Sequence, residues 1–151
     1  SSTLMFLVVL RRVPVGGLIG EVDGNKNGLM PACGYVRKWL NNKWYSLVVI
    51  DNSANIINLQ SVSYVNQKPL IADIKVSSHE GTKFISCSLD GTTTGNYDTK
   101  LKYKFDGNKF KMWINSLYVS IQILHANNVT GVFVQQEPDV DAIDISGDIG
   151  G

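Results

Sequence analysis

Lys100-Leu101-Lys102-Tyr103-Lys104-Phe105, then Asp106-Gly107-Asn108, then Lys109-Phe110-Lys111-Met112-Trp113-Ile114 is the stretch that decides the fold class. Leu101, Tyr103 and Phe105 alternate with lysines, and Phe110, Met112 and Ile114 alternate with Lys109, Lys111 and Trp113. A period of two places successive side chains on opposite faces of a strand. An Asp-Gly step between two such runs predicts a hairpin. One face of this hairpin is apolar; the other carries five lysines, with Trp113 on the same side.

The same period extends in both directions. Downstream, Leu117, Val119, Ile121 and Ile123 share a face, Asn127-Asn128 marks a turn, and Val129 to Gln135 forms a further strand. Upstream, strands are predicted from Trp44 through Val49, from Ile56 to Tyr64, from Leu70 to Ser77 and from Lys83 to Leu89. Asp51-Asn52-Ser53, Asn66-Gln67-Lys68-Pro69 and His79-Glu80-Gly81 supply the turns between them. Residues 90–98 form the longest polar loop.

The front of the chain reads differently. Thr3 to Val13 is apolar on both faces, as in a strand buried on both sides or at a subunit contact. Pro14, Gly16 and Gly17 end it, and Leu18 to Val22 is a short strand before a turn-rich loop. Pro31 suits a first helical position, and Val36, Trp39 and Leu40 fall at i, i+3 and i+4, which predicts a short helix over 31–41. Eight or nine strands and one helix near the amino terminus predict a mainly β fold: an antiparallel β-sandwich, Greek-key or jelly-roll-like. One domain is expected overall, with residues 1–43 as strands, loop and connector helix, 44–136 as the sandwich body, and 137–151 as an acidic, solvated tail.

Composition narrows the function classes. With 151 residues, 44% hydrophobic and 18% charged, the chain can bury one core. A net charge of +1 gives no field to draw in nucleic acid or an anionic membrane. The seven apolar residues Leu4 to Leu10 are too few to span a bilayer. The start at Ser1 suggests a processed chain or a piece of a longer protein.

Motifs for chemistry are sparse. His79 and His125 lie beside turns, and Ser86 and Ser88 sit in an alternating strand with no Gly-x-Ser-x-Gly elbow. Cys33 and Cys87 lack the spacing of a zinc site, and whether they pair is open. Asp139, Asp141, Asp144 and Asp148 lack the glycine turn and bidentate Glu of a calcium loop. Gly16-Gly17-Leu18-Ile19-Gly20 lacks the Lys-Ser/Thr of a phosphate loop. No catalytic residue, metal or cofactor is expected. The hairpin lysines read as a face that blocks edge-to-edge aggregation rather than a nucleic-acid site.

Recognition through loops remains. Polar residues on loops, beside exposed aromatic rings, suit a sugar's hydroxyls and faces. The candidate binding residues are Asn52 and Asn55 on one loop, Thr93, Thr94, Asn96 and Tyr97 on another, and Trp113.

Asn27, Gly28, Leu29, Met30 and Ala32, followed by Lys38 and Leu40, resemble the junction element of bacteriophage tail-fibre and head-fibre proteins. Such an element leads through a short Lys-containing helix into a β-rich distal domain. The resemblance implies a structural and adhesive virion module, homotrimeric, meeting other virion proteins or a host-surface glycan, with no nucleic acid and no membrane insertion. It transfers no binding residue. The alternative is a monomeric carbohydrate-binding or adhesion domain of a secreted bacterial protein; a small hydrolase is a third.

Overall fold

A computed structural model describes residues 35–65 and 67–150. The expected strands at 3–13 and 18–22 lie outside these residues. The described chain is mainly β and antiparallel in every ladder. Its strands are β1 (Val36–Asp51), β2 (Ala54–Val62), β3 (Pro69–Ser77), β4 (Phe84–Asp90), β5 (Lys100–Asp106), β6 (Lys109–Ile123), β7 (Val129–Thr130), β8 (Val134–Gln135) and β9 (Ile143–Asp144).

The long strand β6 is the spine. Along one edge it pairs with β1, from Val36 opposite Ile121 to Asp51 opposite Lys109. Along its other edge it pairs with β5 as far as Asn115, and with β2 from Tyr118 onward. The sheet therefore forks at Ser116-Leu117. The inward residues change parity there, from Phe110, Met112 and Ile114 to Val119, Ile121 and Ile123. The strand expected from Leu117 is thus the same strand as the second half of the hairpin, redirected without a turn.

Both arms of the fork bury their inner faces in one core. Ile57 and Leu59 of β2, Leu70, Ala72, Ile74 and Val76 of β3, and Leu101 of β5 join the residues of β1 and β6. Three buried hydroxyls fill the crotch: Ser61 Oγ lies 2.6 Å from Thr99 Oγ1 and 2.5 Å from Ser116 Oγ, which also donates to the Val62 carbonyl at 2.9 Å. A polar group out of water is tolerated only when it is bonded, and each of these hydroxyls bonds another.

The helix expected over 31–41 does not form across its described part. Residues 36–41 belong to β1. Residues four apart share a face in a helix and in a strand alike, so Val36 and Leu40 fit both. Trp39 separates the two, and it lies on the outer face, 54% exposed, while Val36 and Leu40 are buried. Asn41 and Asn42 take positive φ (54° and 60°) and form a bulge rather than a helix end. The expected division at 43/44 falls inside this strand.

The carboxy-terminal stretch is not a free solvated tail. Ile143 and Asp144 pair with Tyr103 and Lys102 of β5, Ile145 enters the core, and Ile149 bridges Cys87 of β4. This segment joins the outer edges of the two arms, edges that would otherwise stand open to other strands.

Candidate functional site

The outer face of the β3–β2–β6–β1 half is built by the residues that alternate with the core. In one row across the strands stand Ile71, Gln60, Ser120 and Arg37; in the next, Pro69, Val62, Tyr118 and Trp39. Trp39 and Tyr118 meet edge to face with ring centroids 5.4 Å apart. Beside them lies a depression of about 390 Å³ lined by Gln60, Val62, Pro69, Ile71, Tyr118 and Ser120 among others. A smaller one, about 150 Å³, runs on between Ile56, Asn58, Gln122 and Leu124.

Polar groups on this face are partly fixed and partly open. The Tyr35 hydroxyl donates to Asn58 Oδ1 at 3.2 Å, and Asn58 Nδ2 donates to Asp73 Oδ1 at 2.7 Å. That chain of bonds orients an amide between a phenol just before β1 and a carboxylate on β3. The Gln60 amide, the Ser120 hydroxyl and the Arg37 guanidinium have no side-chain partner among the described residues. Apolar walls with a few convergent donors and acceptors are the usual make-up of a small-molecule site. The indole of Trp39 stands exposed, held at right angles to the Tyr118 phenol.

The residues expected from sequence are not brought together. Asn52 and Asn55 flank the start of β2, whereas Thr93 to Tyr97 lie at its far end, where Tyr97 meets Tyr64 at 6.2 Å between centroids. Asn52 is exposed but ties loops to one another: its N–H donates to the Asn108 carbonyl at 2.7 Å, and its Oδ1 accepts from Glu80 N–H at 2.7 Å. Asn55 is 4% exposed and staples the turn after β6, its Nδ2 donating to the His125 carbonyl at 2.8 Å. Thr93 is buried and donates to the Ile145 carbonyl at 2.7 Å. Thr94, Asn96 and Tyr97 are exposed.

Trp113 is not exposed on the lysine face. The chain after β8 crosses it, and Trp113 Nε1 donates to Gln136 Oε1 at 3.0 Å, leaving the residue 1% exposed. Trp39, Tyr118, Gln60, Asn58 and Ser120 stand outside the binding set expected from the sequence. Their signal was present: Asn58 and Gln60 alternate with Ile57 and Leu59, and Ser120 alternates with Val119 and Ile121.

No family model and no curated protein matches the chain. Among solved structures it is similar to Pantoea stewartii WceF, a glycan biofilm modifying enzyme with a bacteriophage tailspike-like parallel β-helix fold. The similarity is 14% identity and a TM-score of 0.48, over 88% of this chain and 24% of that one. The chain spans about a quarter of that protein's length.

Groups suited to catalysis stand apart. His79 Nδ1 lies 3.3 Å from the Asn52 carbonyl and His125 Nε2 lies 2.9 Å from the Ala54 carbonyl. Burial, with the carboxylates of Asp148 and Asp73 nearby, pushes the Cys87 thiol up to about 11. No group of three or more His, Cys, Asp or Glu suited to a metal occurs among the described residues. None of their helices is long and apolar enough to cross a membrane.

Proposed function

We propose that this chain is a non-catalytic adhesive module that holds a saccharide on the outer face of β1, β2, β3 and β6. The observation that carries the reading is Trp39, half exposed and held against Tyr118, beside a depression edged by the Gln60 amide and the Ser120 hydroxyl, neither with a side-chain partner among the described residues. Trp39 stacks on the ring, Tyr118 holds the indole edge to face, Gln60 and Ser120 bond the sugar's hydroxyls, and the Tyr35–Asn58–Asp73 chain offers a second polar end. The setting in a bacteriophage appendage, with several copies adding weak sites into firm attachment, rests on the resemblance over Asn27 to Leu40. Of those residues Lys38 and Leu40 stand in a strand.

A glycan array probed with the whole chain and with Trp39→Ala tests this. Retention on a saccharide, lost about tenfold or more in the variant with melting unchanged, supports it. Equal retention of both chains, or turnover of the saccharide, overturns it.

A further inference from the structure

Residues 137–142 form an arch between two firm anchors. Before it, Gln136 N–H donates to the Trp44 carbonyl at 3.1 Å and Gln136 Oε1 accepts from Trp113. After it, Ile145 is 2% exposed and its N–H donates to the Leu101 carbonyl at 2.9 Å. No residue of the arch is buried, and Val140 is 98% exposed. The arch turns two of its three carboxylates, Asp139 and Asp141, to lysines and an apolar side chain outward, the reverse of a segment held by hydrophobic burial.

What it faces is a pair of lysines. Lys104 and Lys111 are cross-strand neighbours on β5 and β6. Asp139 Oδ2 lies 3.4 Å from both ammonium groups, and Asp141 Oδ1 lies 3.1 Å from Lys104. Lys111 also reaches Asp106 at 3.2 Å, and Lys102 reaches Asp144 at 3.6 Å. One carboxylate between two ammonium groups is an anion receptor with its anion in place. Ion pairs open to solvent are individually weak and screened by salt, so a polymer of carboxylates can replace this occupant.

We propose that Lys104 and Lys111, with Lys102 beside them, form a carboxylate-binding surface for an acidic polysaccharide, and that the arch 137–142 is its displaceable internal occupant. The groups already seated there are carboxylates, which favours a uronate polymer. A nucleic acid is disfavoured, because Trp113 lies buried under Gln136 and the half-buried Trp44 on the same face already has Lys102 Nζ over its ring, 5.7 Å from the centroid. The surface adjoins the β5 half of β6 and stands apart from the Trp39 face.

The test measures binding of the whole chain to immobilised polygalacturonate, with neutral dextran and a single-stranded oligonucleotide as further arms. Expected are binding to polygalacturonate that weakens with salt, a loss of about tenfold in K104Q/K111Q, retention in K104R/K111R, and a gain of about tenfold in D139N/D141N. The variant E80Q/D90N changes net charge equally and is expected to leave affinity near wild type. The proposal is overturned if D139N/D141N does not bind at low salt, or gains no more than E80Q/D90N. It is overturned equally if the lysine substitutions change nothing, or if dextran or the oligonucleotide binds as tightly. Trp39→Ala leaves this binding intact, so its outcome is separable from that of the outer-face site.

Discussion

Ser61 and Ser116 face each other at the fork of the sheet with their hydroxyl oxygens 2.5 Å apart, and Thr99 closes the triangle at 3.0 Å from Ser116. β2, β6 and the residue leading into β5 supply them where the sheet diverges, so the hydroxyls bond one another where the ladder forks. Ser116→Ala strips two buried hydroxyls and the Val62 carbonyl of a partner. The expected cost is about 1–3 kcal/mol, read as a lower urea midpoint with unchanged slope.

Trp113 anchors the crossing segment after β8. Trp113→Ala empties a fully buried site and is expected to cost about 3–5 kcal/mol. Trp113→Phe keeps part of the packing and loses the bond to Gln136 together with the volume of the indole's second ring, at about 1–3 kcal/mol. Urea unfolding of both variants checks the ordering; equal losses would contradict a role for the packing of the remaining ring.

Asp98 sets an acid limb. Thr92 donates its hydroxyl to the carboxylate, Gly95 N–H donates at 3.0 Å, and Lys68 and Lys100 stand nearby. Against the opposing effect of burial, these hold the carboxyl below its ordinary range. A carboxyl lowered by folding contributes stability that is complete above its unfolded value, near 3.9, and is lost as pH falls through the folded value. Asp98→Asn is expected to lower stability at neutral pH and flatten the limb below about pH 4, measured by urea midpoints across pH.

The opposite limb belongs to Lys104 and Lys111. Their partners Asp141 and Asp106 respectively, with Asp139 between them, raise both above the ordinary lysine range. That contribution is complete below the unfolded value, near 10.4, and is lost as pH rises through the folded one. Both groups are partly open to solvent, so the loss is small; D139N/D141N removes the share of Lys104 and leaves Lys111 its main partner, Asp106. Salt titration of the melting point at neutral pH is expected to weaken the wild type more than this variant.

Cys87 is expected to be inert in the native chain. Its thiol, raised to about 11 and buried, holds almost no thiolate at neutral pH. In a Cys33→Ser background, iodoacetamide labels it slowly without denaturant and fast in urea. Fast native labelling contradicts its place in the core.

Much of the fold was legible because period two is a local signal. Leu101, Tyr103 and Phe105 named their strand, as did Leu70, Ala72, Ile74 and Val76, and Asp106-Gly107-Asn108 named its turn. Two features were not local. The segment Val36 to Leu40 satisfies helical and strand spacing alike, and pairing of Trp39 with Tyr118, 79 positions along the chain, decides between them. The acidic tail reads as solvated until Lys104 and Lys111 are placed under it.

The site was legible in residue type but not in place. Asn55 and Thr93 read as loop tips, yet each spends its side chain on a distant backbone carbonyl. Gln60 and Ser120 read as the solvent side of ordinary strands. Only the register, which sets them side by side next to Tyr118, turns them into a surface.

The central claim is that a sugar ring lies on Trp39, and the indole N–H resonances test it most directly. Trp39, Trp44 and Trp113 give three such signals, of which Trp113 is buried and serves as the internal reference. On titration with a soluble fragment of the saccharide best retained on the array, the Trp39 signal is expected to shift and saturate while Trp113 stays fixed. A saturating titration that leaves Trp39 unmoved, with shifts confined to Thr94, Asn96 and Tyr97, would contradict the account.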